Sequence, residues 1–296
     1  GGGGGGGGVG VGNNMNLNLP KEALADQRSL GCYTLKHYLS FNTTQQWYIR
    51  HMNDEILSIR PEGLKRRIDY GGRRHVILRQ KIQKNLDDGY RISRSALVLA
   101  AFIHSHSTCF AGHRVLEIGS GSHGLGGLAA TNYARQVVFT EQLDNRLMRY
   151  LELNSEANAV TDIEHFFVDW DFNRTYMGTS FNIVIASDVD TNQVSAKSAA
   201  RAIIHHLRPG GLVILSSIPG QGLDLIKSIL LRWCDLRPAS TQMVSLRSVF
   251  GPDPNKNVKD FDQTKGEIIT QHQITVMRRT KVNASHPAFA TSHAEV

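Results

Sequence analysis

A short apolar segment followed by a glycine-rich turn is the feature of this sequence most able to bind a nucleoside. Residues 115–118 predict a buried strand, and Gly119, Gly121 and Gly124 follow within six positions. Glycines at this spacing permit a tight turn and let a ligand approach the backbone. Glu141 ends the next predicted strand, where an acid can bind ribose hydroxyls. Taken alone, this pattern fits a nicotinamide dinucleotide as well as other nucleosides.

The charge of Glu117, two residues before the first glycine, separates these ligands. An unpaired carboxylate about 4 Å from a phosphate is repelled by roughly 4 kcal/mol at an effective dielectric of about 20. S-adenosylmethionine carries an ammonium and a sulfonium but no phosphate, so an acid at the mouth of the loop attracts it. The sequence therefore favours S-adenosylmethionine as the cofactor. Helix capping is the alternative role for Glu117.

Two later predicted strands also end in residues that suit a nucleoside. Asp169 and Trp170 close the third strand of the alternating region, where the acid can accept from an adenine amine and the ring can stack on adenine. A core position is the alternative for Trp170. Ser187 ends the fourth strand, and we expect it to border the same pocket.

The residues after Ser187 are candidates for the acceptor side of a reaction. Asp188 is our first choice to hold an incoming ammonium group, Asp190 is the second, and Thr191 offers a hydroxyl. Helix N-capping is the alternative for both acids. The histidine pairs at 104–106 and 205–206 have no neighbouring metal ligands, so we expect no metal site.

Alternating strands and helices must position these residues. Hydrophobic periodicity predicts them from Ser95 onwards, with Ser95 as a possible N-cap of the first helix. Two strands with no helix between them end the region, and they predict an antiparallel pair at one edge. The expected fold is a doubly wound, Rossmann-like α/β domain with a seven-stranded sheet and a small N-terminal cap. The predicted helices are 95–103, 124–134, 145–158, 193–207 and 222–236, and the predicted strands are 113–118, 136–140, 163–168, 181–187, 212–217, 241–250 and 266–276.

Composition divides the chain into four parts. Residues 1–28, which begin with eight glycines, and residues 281–296 are expected to be disordered tails. Residues 29–95 form the predicted cap, with a hairpin around Gly71-Gly72, and residues 96–280 form the main domain. The segment from Arg60 to Arg94 holds eleven basic and four acidic residues, an excess that equals the net charge of +7 for the whole chain. This segment suits an acidic protein face or nucleic acid, or is a solvated surface.

The motif and its surroundings resemble those of the seven-β-strand methyltransferases, and more narrowly the eukaryotic protein-lysine methyltransferases that modify chaperones, elongation factors and calmodulin. The resemblance covers about residues 76–280 and includes 115–130, Gln80, the Asp169-Trp170 pair and the acidic end of the fourth strand. It departs from the family at Ser93-Arg94, where the family usually has Trp-Pro, and at Thr191, where it has tyrosine.

The resemblance implies transfer of a methyl group from S-adenosylmethionine to a protein lysine. A protein substrate ranks above nucleic acid, because residues 187–190 lack the Asn/Asp-Pro-Pro-aromatic motif of nucleobase amine methylation, and an acidic protein would also suit the basic segment. A catalytically weakened or inactive binding protein and a nicotinamide-dependent oxidoreductase are the alternatives. We expect no membrane span, a monomer, and a location in the cytoplasm and also in the nucleus.

Overall fold

The structure is a computed structural model, and the part of the chain that it describes contains both the N-terminal strands and the main domain. The two tails predicted to be disordered, 1–28 and 281–296, lie outside the described residues. The structure describes residues 35–41, 45–52, 58–60, 63–69, 75–80, 90, 92–141, 145–160, 164–167, 181–189, 193–233, 236–250 and 267–280.

Five strands, of which the sequence predicted only one hairpin, precede the alternating region that the hydrophobic pattern predicts. The N-terminal strands are β1 (Leu35–Phe41), β2 (Gln45–Met52), β3 (Ser58–Arg60), β4 (Gly63–Asp69) and β5 (His75–Gln80). The later elements are α1 (Arg94–Ser105), β6 (Arg114–Ile118), α2 (Leu125–Ala130), β7 (Gln136–Glu141), α3 (Asn145–Ala157), β8 (Glu164–Phe167), β9 (Phe181–Ser187), α4 (Gln193–His206), β10 (Leu207–Ser217), α5 (Gln221–Trp233), β11 (Leu236–Phe250) and β12 (Glu267–Arg279).

Seven strands of the main domain have the spatial order β8-β7-β6-β9-β10-β12-β11. The strands from β8 to β10 pair in parallel, and β12 is antiparallel to both β10 and β11. This order confirms the predicted doubly wound sheet of seven strands with an antiparallel C-terminal pair. The order reverses at β6, so a crevice opens at the carboxyl ends of β6 and β9, where such sheets bind ligands.

The C-terminal pair does not end the sheet, and this corrects the predicted edge position. Strand β1 pairs antiparallel with β11 from Leu35↔Phe250 to Phe41↔Val244, and β2, β4 and β3 continue outward. An uncovered β11 would leave a row of backbone donors and acceptors unpaired, and β1 satisfies them. The hairpin expected around Gly71-Gly72 is confirmed, since Asp69 of β4 pairs with His75 of β5.

Two apolar layers enclose the parallel strands, because successive residues of a strand face opposite sides. In β9, Ile183 and Ile185 belong to the layer that also contains α1, α2 and β5, while Val184 and Ala186 belong to the layer under α4 and α5. Both faces of the parallel strands are therefore covered, which leaves their carboxyl ends as the edge where a ligand can bind.

Two of the helix boundaries that differ from the sequence prediction have local reasons. Helix α1 is capped by Ser93 and not by Ser95: Ser93 has extended backbone (ψ 150°), and its Oγ accepts from the N–H of Ala96 at 2.9 Å. Helix α2 ends four residues before its predicted end. The Asn132 amide donates to the carbonyls of Leu128 and Ala129, which satisfies groups that a longer helix would use.

Candidate active site

The glycine loop, residues 119–124, leaves the carboxyl end of β6 in a conformation that glycine favours. The φ angles of Gly119, Gly121 and Gly124 are 68°, 58° and 54°, all in the left-handed region. The loop closes on itself through a hydrogen bond of 2.8 Å from the Gly124 N–H to the Ser120 carbonyl. The structure therefore brings the three predicted glycines together as a tight turn at the crevice.

Glu141 holds this loop from the neighbouring strand. Its side chain is 8% exposed, and Oε2 accepts from the Gly121 N–H at 2.6 Å. A second link joins the same elements, because the Ser120 N–H donates to the Thr140 carbonyl at 2.9 Å. Glu141 thus lies beside the loop as predicted, and it shapes the loop directly. Its contact with ribose hydroxyls stays a prediction.

Glu117 is buried beneath α2 and does not lie at the open mouth of the loop. Its side chain is 3% exposed, and a Cβ built on Gly126 or Gly127 would lie 2.6 Å from Oε1 or 2.8 Å from Oε2. The carboxyl group therefore depends on both glycines for its space. This position matches the helix-capping alternative, and attraction of a cationic cofactor by Glu117 stays a prediction.

Burial also sets the charge of Glu117. Desolvation is the largest effect and raises its pKa from 4.5 to about 7. The N–H groups of Gly127 and Gly126 and the Ser120 hydroxyl lower the pKa in part, and nearby Glu141 raises it slightly. Although those N–H groups face the carboxyl group, Oε2 has no hydrogen-bond partner of normal geometry among the described residues. The acid is therefore only partly ionised near neutral pH.

His123 is a site residue that the sequence reasoning did not single out. It is 4% exposed, its Nδ1 lies 3.1 Å from the Ser122 Oγ, and its Nε2 has no partner among the described residues. Burial lowers its pKa from 6.5 to about 4, so the ring is neutral at pH 7. The sequence signal that could have indicated His123 is its large side chain within a turn made mostly of glycine and serine. A neutral ring adds no positive charge beside a cationic ligand.

Asp188 directly follows β9 and lies at the same edge of the sheet as the glycine loop. Ile118 pairs with Ala186 in register, so the next residues, Gly119 and Ser187, leave adjacent strands at the same level, about 4.8 Å apart. Ser187 and Asp188 are both partly exposed there. The structure therefore brings Ser187 and Asp188 to the same edge as the loop. Asp190, Thr191, Asp169 and Trp170 lie outside the described residues.

The backbone of Asp188 is held in an uncommon conformation. Its φ is 49°, in the left-handed region that aspartate tolerates better than most residues. Its N–H donates to the Ser216 carbonyl at 3.1 Å, and the Ser217 hydroxyl lies 3.4 Å from Oδ1. Residues in such conformations cluster at functional sites, where the surrounding structure fixes them.

A row of buried, hydrogen-bonded polar side chains lies next to this edge of the sheet. The Ser216 hydroxyl donates to the Ser95 carbonyl at 2.8 Å, and the Ser95 Oγ lies 3.0 Å from Nδ1 of His272. The other ring nitrogen of His272 lies 3.0 Å from the Thr270 Oγ1. Burial, with a smaller effect of Arg94, lowers the pKa of His272 to about 4. These hydrogen bonds link α1, β10 and β12, and no local sequence pattern predicts them.

The described residues suit a ligand with positive charge and hydroxyl groups. Residues 119–124 include no lysine or arginine, while the acids Glu141 and Asp188 lie beside the loop and at the end of β9. A loop without cationic side chains fits a nucleoside that lacks phosphate better than a dinucleotide. Within the described ranges, no group of three His, Cys, Asp or Glu residues could hold a metal ion. No helix in those ranges is long and apolar enough to span a membrane.

Comparison with known proteins finds a family model that matches the segment containing the loop. Residues 74–216, 143 of the 296, match the sequence model of a family described as lysine methyltransferase. A calmodulin-lysine N-methyltransferase of Arabidopsis thaliana is 36% identical over 112 residues, which are 36% of this chain and 36% of that protein. A ribosomal protein L11 methyltransferase of Dechloromonas aromatica is 29% identical over 128 residues, 43% of this chain and 40% of that protein.

The chain therefore matches about two fifths or less of the length of these curated relatives. Among solved structures, a methyltransferase complexed with SAH has a TM-score of 0.50 and 16% identity; the match covers 75% of this chain and 57% of that chain. At this identity the structural likeness concerns the fold.

Proposed function

Residues 74–216 match the lysine methyltransferase family, and from this premise we propose that the chain transfers a methyl group from S-adenosylmethionine to the side-chain amine of a protein lysine. One observation carries the proposal: the glycine loop and Asp188 leave adjacent parallel strands at the same level. This arrangement allows a nucleoside cofactor and an incoming amine to meet at one edge of the sheet.

Bound S-adenosylmethionine supplies an electrophilic methyl group: a nitrogen–carbon bond forms as the carbon–sulfur bond breaks, and the electron pair remains on sulfur. The protein contributes position and desolvation. The glycine loop and the carboxylate of Glu141 would hold the nucleoside. Asp188 binds the lysine ammonium at the partly exposed edge, where the proton leaves to solvent before the neutral amine attacks.

The substrate that we propose is an acidic protein rather than nucleic acid. The family match supports a protein lysine, and the excess of seven positive charges between Arg60 and Arg94 supports an acidic partner. The Arabidopsis relative is named for calmodulin, which makes that protein a reasonable first acceptor to test. We further propose that the chain acts as a monomer in the cytoplasm and nucleus.

Two variants test the two halves of the site separately. Glu141→Ala should weaken binding of S-adenosylhomocysteine about tenfold, because the loop loses its carboxylate partner. Asp188→Asn should leave that affinity within about twofold and lower kcat/KM for methyl transfer by about tenfold to a hundredfold, because one charged anchor of the amine is lost. Calorimetric titration gives the affinity, and transfer of labelled methyl groups to protein gives the rate.

The matched control is Asp224→Asn. Asp224 is an exposed acid on α5 that pairs with Lys227 at 2.8 Å, so both measurements should stay at the wild-type level. Affinity for S-adenosylhomocysteine with no transfer to any protein would instead indicate a binding protein. Affinity for a nicotinamide dinucleotide in its place would indicate an oxidoreductase. Either result overturns the proposed activity.

A further inference from the structure

Two asparagine side chains, that of Asn154 in α3 and that of Asn158 directly after its end, attach the N-terminal strands to the main domain. Asn158 accepts from the Ile77 N–H at 2.8 Å and donates to the Ile77 carbonyl at 2.7 Å. Asn154 accepts from the Arg79 N–H and donates to the Arg79 carbonyl, the latter at 3.2 Å. Each amide therefore bonds to both backbone groups of one β5 residue, as a residue of a neighbouring strand would.

The geometry of a helix and of a strand makes this pairing possible. Four residues along a helix advance about 6.0 Å, and two residues along a strand advance about 6.7 Å. Asn154 and Asn158 thus match Arg79 and Ile77, the β5 residues whose backbone groups face away from β4. The edge of β5 is satisfied by side chains, and the buried Leu78 between them anchors the strand in the core.

Asn154 has one contact that Asn158 lacks. Its Nδ2 also donates to the Ser122 carbonyl, within the glycine loop, at 2.7 Å. The corresponding Nδ2 of Asn158 donates to the Asn154 carbonyl, in the last turn of α3, at 2.7 Å. Asn154 is fully buried, and its three hydrogen bonds join β5 to the loop through a single rigid amide.

We propose that Asn154 is a positioning residue that couples the docking of β5 to the shape of the cofactor loop. The inference rests on the proposed function, since the loop is taken as the S-adenosylmethionine site. The amide is fixed on one side by β5 and on the other by Ser122. Binding at the loop therefore favours a docked β5, and an undocked β5 weakens binding at the loop. The basic N-terminal strands and the cofactor site are linked reciprocally.

The test compares Asn154→Ala with Asn158→Ala, each of which removes the two hydrogen bonds between the asparagine amide and one β5 residue. Asn154→Ala should weaken S-adenosylhomocysteine binding about fivefold or more, because the Ser122 carbonyl also loses its partner. Asn158→Ala should change that affinity less than about twofold, even if it lowers the urea midpoint equally. Equal effects of the two variants on affinity, or no effect of either, would overturn the coupling.

A second pair covers the case in which Asn154→Ala does not fold. Arg79→Pro removes the N–H that holds Asn154, and Ile77→Pro removes the one that holds Asn158; both N–H groups face the asparagines and not β4, so neither proline removes a hydrogen bond between β4 and β5. Only Arg79→Pro should weaken S-adenosylhomocysteine binding, by about twofold to threefold. An equal loss in both proline variants would show that strand docking in general, and not Asn154, sets the loop.

Hydrogen exchange separates this inference from the proposed function. If the wild-type chain binds no S-adenosylhomocysteine, the proposed function fails, but the loop amides of residues 119–124 can still be followed. They should exchange faster in Asn154→Ala than in Asn158→Ala. Unchanged loop exchange in Asn154→Ala would overturn the coupling whatever the cofactor is.

Discussion

Burial of Glu117 in the folded chain disfavours the ionised form of its carboxyl group. The sequence shows an acid two residues before a glycine, and this predicts a negative group at the mouth of the loop. The structure instead packs the carboxyl group against Gly126 and Gly127, where desolvation raises its pKa to about 7. Adjacency in sequence therefore predicted the residue, and the packing of α2 determined its orientation.

This shift predicts how Glu117→Gln should change stability with pH. In the folded chain the acid keeps its proton up to about pH 7, while in the unfolded chain it loses it near 4.5, so the wild type loses stability as pH rises between these values. Glutamine cannot ionise and avoids this loss. The stability of Glu117→Gln relative to wild type should rise by about 2–3 kcal/mol from pH 5 to pH 8, measured by urea unfolding.

The control for this prediction is Glu152→Gln. Glu152 is 45% exposed and pairs with Arg149 at 3.1 Å, so its replacement should change the unfolding free energy by less than about 0.5 kcal/mol at either pH. A pH-independent difference for Glu117→Gln as well would show that the acid is ionised in the folded chain throughout this range.

At the scale of elements, Gly124 fixes how the glycine loop enters α2. Its φ is 54°, and a Cβ there would lie 2.5 Å from Leu151 Cδ1 and 2.8 Å from the Phe139 ring. Both neighbours are fully buried, so neither side chain can move aside freely. The glycine is needed for its conformation and also for the close contact of the loop with β7 and α3.

Gly124→Ala and Gly112→Ala separate these two requirements. Gly112 has a φ of 70° with no atom within 4 Å of an added Cβ, so alanine there should cost about 1 kcal/mol, from backbone strain alone. Gly124→Ala should cost about 3 kcal/mol, because steric overlap adds to the strain. Urea unfolding of both variants checks the difference, and equal losses would mean that the core around the loop can relax.

The elements themselves were largely predictable, because their signals are local. Apolar periodicity gave all seven strands of the main domain, and the strands without a helix between them gave the antiparallel pair. The pairing of β1 with β11 and the hydrogen bonding of Asn154 to Arg79 were not predictable. They join residues distant in sequence through backbone groups, which every residue carries.

At the scale of the whole molecule, burial leaves three distant histidines neutral. His123 lies in the glycine loop, His206 at the end of α4 and His272 in β12, and each is 4% exposed or less. Desolvation is the largest cause in each case and lowers the pKa values from 6.5 to about 4. The sequence shows thirteen histidines and cannot tell which ones the two apolar layers enclose.

Among the described residues, these histidines and Glu117 have the large pKa shifts, and together they predict how stability changes with pH. Below pH 6.5 these histidines bind protons in the unfolded chain but stay neutral in the folded chain, so stability falls as pH drops towards 4. Glu117 acts in the opposite direction between pH 4.5 and 7, but one acid offsets only part of three histidines. The urea midpoint should therefore rise from pH 5 to 6.5 and stay nearly level from pH 7 to 8.

The steepness of that rise reports the number of histidines involved. Near pH 6 the slope of the unfolding free energy should correspond to net uptake of about one to two protons. His272→Gln should reduce the uptake by about one proton whatever its effect on stability, because the slope counts titrating groups and is insensitive to a uniform loss of packing. A slope unchanged in His272→Gln would mean that this ring accepts its proton in the folded chain, and that the row of polar side chains from Ser95 to Thr270 accommodates an imidazolium.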